Sequence, residues 1–185
     1  MPAMSESASG PATLDAGDFA RWLDGFASAL RGERDADVPC AGCTACCSAS
    51  QFVAVEPDEH DARAHIPAAL LFPAPGRPPG HALLGFDERG RCPMLAEGGC
   101  SIYTHRPRAC RSYDCRVFAA TGLEPDGTGK EELAARIRRW RFSYGDDRAR
   151  EHHESLRTAA VDRRRGTPPS VSTTEVALRA IGSPR

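Results

Sequence analysis

The sequence lacks several features that would point to common functions. Aromatic residues make up only 6% of the chain, and no apolar run approaches the roughly 18 residues needed to span a bilayer. The opening stretch, MPAMSESASGPAT, has no basic segment followed by an apolar one. No secretory signal is therefore predicted, and residues 1–12 are expected to form a disordered leader. We accordingly expect a cytoplasmic location and no membrane partner.

Two nucleotide-binding fingerprints are also absent. The string PDGTGKE resembles a phosphate-binding loop, but the Walker pattern requires Gly where the chain has Glu124 and Ser or Thr where it has Glu131. No GxGxxG motif follows a predicted strand. The formal net charge of -1 gives no general attraction to nucleic acid. An adaptor that binds a polyanion through Arg136, Arg139 and Arg164 is one alternative, although solvated arginines are the simpler interpretation, so nucleic-acid binding is not expected.

Hydrophobic spacing predicts helices at both ends of the chain and short strands between them. Apolar residues from Phe19 to Leu30 recur at helical spacing and predict an amphipathic helix of about four turns within 13–37, capped by Thr13 or Asp15. A strand is expected over 52–55, and a β-hairpin is expected from Leu83 to Leu95 around the turn DERG. Further helices are predicted over 129–142, 146–166 and 173–182.

Eight cysteines are the most distinctive feature that the chain does contain. They fall into two groups and none is left over: Cys40, Cys43, Cys46 and Cys47, then Cys92, Cys100, Cys110 and Cys115. Two successive C-x2-C steps in the first group let sulfurs converge on one ion, a spacing typical of metal ribbons and ferredoxins. Three thiolates from one loop leave such a site one ligand short. We therefore expect a cysteine of the second group to complete it, so that metal binding and folding are linked.

The inventory of metals stays open at this point. Eight thiolates can hold two zinc ions, or one iron–sulfur cluster with the other cysteines in a zinc site, in the core or in thiol chemistry. The arginines around the second group would offset the negative charge of either centre and lower thiol pKa values, namely Arg106, Arg108, Arg111 and Arg116. Four disulfides are less favoured, because no secretory signal is predicted and Cys46 is crowded against Cys47. Catalytic thiol exchange is also less favoured, because the C-x2-C steps do not lie in a thioredoxin-like βαβ pattern.

The histidines carry a weaker signal than the cysteines. His105 lies near the second group and is a conceivable replacement for a cysteine ligand, whereas His152 and His153 lie on a charged segment and are interpreted as solvated. His60 and His65 would share a helical face only if the helix continued, and Pro67 limits it. No histidine ligand and no catalytic residue is predicted.

The motifs around the cysteines resemble those of the YkgJ-type cysteine-cluster family, a family described as zinc- or iron-chelating. The shared elements are CAGCTACC, which carries C-x2-C-x2-C-C, and CPMLAEGGCSIYTHRPRACRSYDC, which carries C-P-x-L, C-x-I-Y, R-P-x-x-C-R and a final aromatic-x-C. The resemblance covers about the middle 80 residues and implies metal binding. Flagellin lysine methylase is similar only in its cysteine cluster, so the resemblance does not imply methylation.

Together these features predict an α+β protein with a small cysteine-rich metal-binding core, flanked by N-terminal and C-terminal helices. The expected organisation is a leader (1–12), an N-terminal helix (13–37), a metal-binding domain (38–118) and a helical C-terminal segment (119–185). The expected function is chelation of zinc or iron by all eight cysteines in a structural or regulatory role. The alternative is an iron–sulfur enzyme for redox chemistry or methyl transfer that uses the same cluster.

Overall fold

A computed structural model describes residues 12–39 and 42–182. Within these residues the chain forms seven strands and seven α-helices, which confirms the α+β class. In chain order they are β1 (Leu14–Asp18), α1 (Phe19–Leu30), β2 (Val53–Val55), α2 (His60–His65), β3 (Leu71–Pro73), β4 (Ala82–Leu84), β5 (Leu95–Ala96), β6 (Gly99–Cys100), α3 (Arg108–Ser112), α4 (Arg116–Thr121), α5 (Glu131–Ile137), β7 (Trp140–Ser143), α6 (Asp147–Arg165) and α7 (Thr173–Gly182). None of these helices combines the length and the apolar character needed to cross a membrane.

The N-terminal helix is shorter than predicted, because a strand precedes it. Residues 14–18 form β1, and α1 begins only after Asp18, whose side chain accepts a hydrogen bond from the backbone N–H of Arg21 at 3.0 Å. The predicted caps at Thr13 and Asp15 were therefore wrong. Gly17 has a φ of +82°, which interrupts any helix at this point. The leader prediction falls almost entirely on residues that the structure does not describe.

The second departure from prediction lies at residues 140–143, which form β7 and not the end of a helix. Strand β7 pairs in parallel with β1, with Leu14 opposite Trp140 and Gly17 opposite Phe142. Trp140 is buried, and Phe142 packs against the same core. The two aromatic side chains are two residues apart, which is the spacing of one face of a strand. Helix α5 consequently ends at Ile137.

The helices and the two-stranded sheet form what we call the helical region, comprising β1, α1, α4–α7 and β7. Helix α6 packs against α4 and α7, and α1 contacts both α6 and α7. Eighteen buried apolar residues form its core, among them Phe19, Trp22, Phe118 and Leu133. Two of them, Ala45 and Ala49, come from the loop that carries the first cysteines. The helical region therefore anchors that loop through ordinary apolar packing.

Residues 42–112 form what we call the cysteine region. Its three-stranded antiparallel sheet has the order β2-β4-β3, and β5 pairs with β6. The predicted hairpin from Leu83 to Leu95 was wrong: the turn at 87–91 is present, but β4 pairs with β2 and β3, and β5 pairs with β6. Only five buried apolar residues form the core of this region: Val55, Ile66, Ala82, Leu84 and Ile102.

Candidate metal centre

The described cysteines lie on four short segments of the chain: the loop of residues 42–50, the β5–β6 hairpin with the residues just before it, α3, and the start of α4. Cys43, Cys46 and Cys47 lie in the loop of residues 42–50, Cys92 precedes β5, Cys100 ends β6 and Cys110 lies in α3. Each of these six has a free thiol. Cys115 lies at the start of α4. Cys40, also predicted as a ligand, lies outside the described residues.

Backbone hydrogen bonds join the first cysteine loop to the turn before Cys92. The N–H of Cys92 donates to the carbonyl of Cys47 at 2.7 Å, and the N–H of Ser50 donates to the carbonyl of Gly90 at 2.8 Å. Gly90 has a φ of +75°, and a Cβ at this position would lie 2.2 Å from the Ser50 hydroxyl. Glycine is therefore required here for both conformation and space. The fold thus brings the two cysteine groups together.

Four of the thiols, Cys46, Cys92, Cys100 and Cys110, lie close enough to influence one another electrostatically, and we call them the four-thiol group. Burial raises the pKa of Cys110 to about 12, with further increases from Cys46, Cys92 and Cys100. Burial likewise raises the pKa of Cys92, with smaller contributions from Cys100 and Cys46. Without a cation, thiolates this close would repel one another, which favours the protonated forms of Cys92 and Cys110.

Cys46 and Cys47 interact directly despite being neighbours in the chain. Their sulfurs are 4.0 Å apart. The hydrogen bond to Cys47 raises the pKa of Cys46 strongly, and burial raises it further. A proton shared between two sulfurs is one that a metal ion can displace, because the thiolate is the ligating form.

The donor set and its surroundings fit a thiophilic metal. Backbone hydrogen bonds from Met94 and Leu95 oppose the rise in the pKa of Cys92, and the Arg106 guanidinium opposes the rise at Cys110. Both groups would stabilise thiolate charge once a metal has replaced the protons. Soft sulfur ligands of this kind suit zinc and iron–sulfur clusters.

The sulfurs of the group are, however, more widely spread than around a single ion. In residues 12–39 and 42–182, no three cysteine sulfurs all lie within 4.8 Å of one another. Tetrahedral zinc with bonds of about 2.3 Å places its sulfurs about 3.8 Å apart. The space between the four thiols therefore exceeds what one zinc ion fills without contraction of the site.

Only one of the four flanking arginines, Arg106, acts on a thiol in the expected way, because it opposes the rise in the pKa of Cys110. The buried Nε of Arg111 lies 3.9 Å from the carboxylate of Asp35. Arg108 instead pairs with Asp58 at 3.0 Å. Arg116 is buried and pairs with Asp114 at 2.8 Å, so it belongs to the interior of the helical region.

The remaining cysteines have different surroundings. Cys115 is buried in the apolar core, where the indole N–H of Trp140 donates to its sulfur at 3.3 Å. Cys43 is half-buried and packs against the same core. Sequence spacing could not separate Cys115 from the ligand candidates, because cysteine serves equally as a metal ligand and as a small core residue.

The interpretation of His153 as a solvated residue was wrong. Its side chain is only 4% exposed, stacks on Phe19 with ring centroids 4.3 Å apart, and meets the hydroxyl of Tyr144 at 2.8 Å through Nδ1. His105 contacts Asp61 at 2.8 Å. It shares this carboxylate with His65, an arrangement that sequence reasoning missed. The i, i+4 spacing of Asp61 and His65 was a signal for it.

A cavity of about 240 Å³ lies beside these groups, between the start of α2 and the segment that carries His105. Among residues 12–39 and 42–182, its lining includes Asp61, His105, Arg106 and Arg111 but no cysteine. An enzyme that reacts through a cysteine in this cleft would need a thiol in the cavity lining. The four-thiol group does not provide one.

Comparison with known proteins gives one match. A family model with the description "CxxCxxCC: Putative zinc- or iron-chelating domain" matches residues 39–132. The matched part is more than half of the chain and contains all eight cysteines. No curated protein and no solved structure matches the chain.

Proposed function

Because the chain belongs to the CxxCxxCC family of zinc- or iron-chelating domains, we propose that it binds metal through the four-thiol group. The observation that carries this proposal is the convergence of Cys46, Cys92, Cys100 and Cys110 from three separate segments. Cys92 and Cys100 also pack against the apolar core of the cysteine region, but such packing does not by itself require four thiols in one place. They are well placed to exchange their protons for a shared cation.

The role of the metal is structural. The separate apolar core of the cysteine region contains five residues, and its strands contain only two or three residues each. Such short strands are marginal by themselves. A metal that joins the loop of residues 42–50, the β5–β6 hairpin and α3 would supply the cross-link that apolar packing does not provide. Release of the metal and loss of ordered structure in those segments should therefore occur together.

Between the two metals, the spread of the sulfurs favours an iron–sulfur cluster over a single zinc ion. A cluster places several atoms between its thiolate ligands and so tolerates a wider ring of sulfurs than one ion does. Cys40, Cys43 and Cys47 then remain candidates to extend the centre, and we assign Cys115 to the core. The enzyme alternative would gain support from a cysteine in the cavity near Arg111, and none of the described cysteines lines that cavity.

Anaerobic purification followed by quantification of zinc, iron and acid-labile sulfide tests the proposal. If the centre is an iron–sulfur cluster, the protein should be brown and contain iron and sulfide in matching amounts. A colourless protein with two zinc ions per chain would instead identify the metal as zinc. A chain purified with neither metal, and unable to take either up anaerobically, would overturn the proposal.

A matched pair of substitutions tests the ligand assignment. Cys110→Ser should abolish metal binding, because it removes one of four buried ligands. Cys115→Ser should keep the metal content and lower only the free energy of unfolding, because this sulfur faces Trp140 and apolar side chains. Equal loss of metal in both variants would show that Cys115 is a ligand.

A further inference from the structure

A second group of potential ligands lies outside the cysteines and contains only nitrogen and oxygen donors. It consists of Asp61 and His65 on α2 and His105 on a 3-10 turn. Their ligand atoms all lie within 4.8 Å of one another, and no other group of three or more His, Cys, Asp or Glu among the described residues meets that limit. Side chains from two distant parts of the sequence therefore converge on one point.

The separations match those of ligands around one metal ion. The Asp61 carboxylate lies 2.8 Å from Nδ1 of His105 and 3.6 Å from Nδ1 of His65. Bonds of about 2.1 Å from imidazole nitrogen and carboxylate oxygen to zinc place neighbouring ligands about 3.0 Å apart at right angles and about 3.4 Å apart in a tetrahedron. A cation would replace two hydrogen bonds, the one from Nδ1 of His105 to this carboxylate and the one between Nδ1 of His65 and the backbone carbonyl of Asp61. The stacked rings would tilt so that both lone pairs point at the ion.

The two imidazole rings are stacked, and the Nδ1 atoms of both lie beside Asp61. The rings of His65 and His105 are 3.6 Å apart and only 5° from parallel. The hydrogen bond from His105 lowers the pKa of Asp61, which keeps this carboxylate ionised.

We propose that Asp61, His65 and His105 form a second metal site, which binds a first-row divalent cation such as zinc, nickel or cobalt. Two imidazoles and a carboxylate are borderline donors that suit these cations, in contrast to the soft sulfurs of the four-thiol group. Three protein ligands leave coordination positions for water or for a small ligand.

The surroundings of this second site permit both access and charge balance. The side chains of Asp61, His65 and His105 are 69%, 41% and 38% exposed, so a hydrated cation can reach them. Of the nearby cations, Arg108 is paired with Asp58. Its backbone N–H donates to the buried carboxylate of Glu59. The positive charges of the adjoining cavity are thus partly matched by acids before any cation binds.

The test is a calorimetric titration of the metal-loaded, anaerobically purified chain with Ni²⁺. We expect one additional equivalent to bind, without the intense sulfur-to-nickel absorption that binding to cysteine would produce. Asp61→Asn and His105→Gln should each weaken this affinity at least about tenfold, because each removes a ligand. His60→Gln is the matched control on α2, since His60 lies outside the group, and it should leave the affinity unchanged.

Several results would overturn this proposal: no additional equivalent, binding that produces the sulfur-to-nickel band, or equal weakening by His60→Gln. All three side chains are partly exposed, so the variants should fold, and a far-ultraviolet circular dichroism spectrum checks this. Should His105→Gln misfold, Asp61→Asn alone decides. The metal content of the same sample is measured separately, so failure of the second site is distinguishable from failure of the four-thiol proposal.

Discussion

The helical region and the cysteine region solve the problem of stability in different ways. Eighteen buried apolar residues, two of them from the first cysteine loop, form the core of the helical region, against five in the separate core of the cysteine region. Apolar burial is the main favourable term in folding, and it must outweigh the conformational entropy of every residue that becomes ordered. From this contrast we infer that the cysteine region is stabilised by cysteine side chains that bind metal, whereas the helical region is stabilised by apolar packing.

Of the experiments that test this comparison, removal of the metal should have the largest effect. Chelation under anaerobic, reducing conditions should abolish the protection of backbone amides in residues 92–112, because a structural metal of this type contributes on the order of 10 kcal/mol to folding. Amides in α4 and α6 should keep most of their protection. Hydrogen–deuterium exchange with mass spectrometry measures both segments in one sample.

Equal loss of protection in both regions would show that the helical region also depends on the metal. Unchanged protection throughout would show that packing alone suffices for the cysteine region. Either result would contradict the view that metal stabilises the cysteine region and apolar packing stabilises the helical region.

A smaller but still large effect is expected where the two regions meet. Arg116 is buried, pairs with Asp114, and donates to the carbonyls of Ala16 and Asp37, the second of which leads into the cysteine loop. Trp22 donates to the same carboxylate at 2.7 Å. Asp114→Asn leaves the guanidinium buried without its counter-charge, which should cost about 3–5 kcal/mol.

Chemical denaturation of the metal-loaded chain measures this loss for Asp114→Asn. Glu33→Gln is the control, since the pair that Glu33 forms with Arg31 is fully exposed to solvent and its removal should not change the midpoint. A midpoint for Asp114→Asn that equals that of the control would show that the buried pair does not stabilise the junction.

Substitution of a core leucine should separate packing from metal binding. Leu133 on α5 is 1% exposed, and Leu133→Ala should lower the free energy of unfolding by about 2–5 kcal/mol while leaving the metal content unchanged. Leu30→Ala is the matched control, because Leu30 is 43% exposed. Loss of metal from the folded Leu133→Ala variant would mean that the helical core shapes the four-thiol group.

Predictions from the sequence were correct where local interactions determine the structure, and they failed where residues far apart in the chain determine it. Local periodicity identified the helix through Phe19 and Leu30 and the final helix from Thr173, because a helix buries one face at a regular spacing. Strands β1 and β7 were missed because each is stabilised by the other across most of the chain. No short window of sequence contains such a partner.

The candidate site was partly predictable for the same reason. C-x2-C spacing marked the cysteines as potential ligands, but the sequence could not indicate that Cys46 faces Cys110 while Cys115 enters the core. His153 was misjudged from the charges around it, although its spacing to Leu156 and Ala160 follows the buried face of α6. Had the helical spacing been applied to polar residues as well as to apolar ones, it would have placed His153 on the buried face of α6.

The smallest effect we predict concerns this histidine and the pH dependence of stability. Burial lowers the pKa of His153, and the nearby Arg157 lowers it further. The unfolded chain therefore takes up a proton near pH 6.5, where the folded chain does not yet do so. The contribution of His153 is complete above that pH and declines as the pH falls towards its folded-state pKa, by at most about 1.4 kcal/mol per pH unit.

His153→Gln should remove this slope. Urea denaturation at pH 7.5, 6.5 and 5.5 should show a steeper decline for the natural chain than for the variant, whereas His60→Gln should retain the slope of the natural chain. All three proteins carry the same thiols, so acid displacement of metal cancels in the comparison. A slope that survives in His153→Gln would locate the acid sensitivity in the cysteine region, where protonation of the ligands would be its cause.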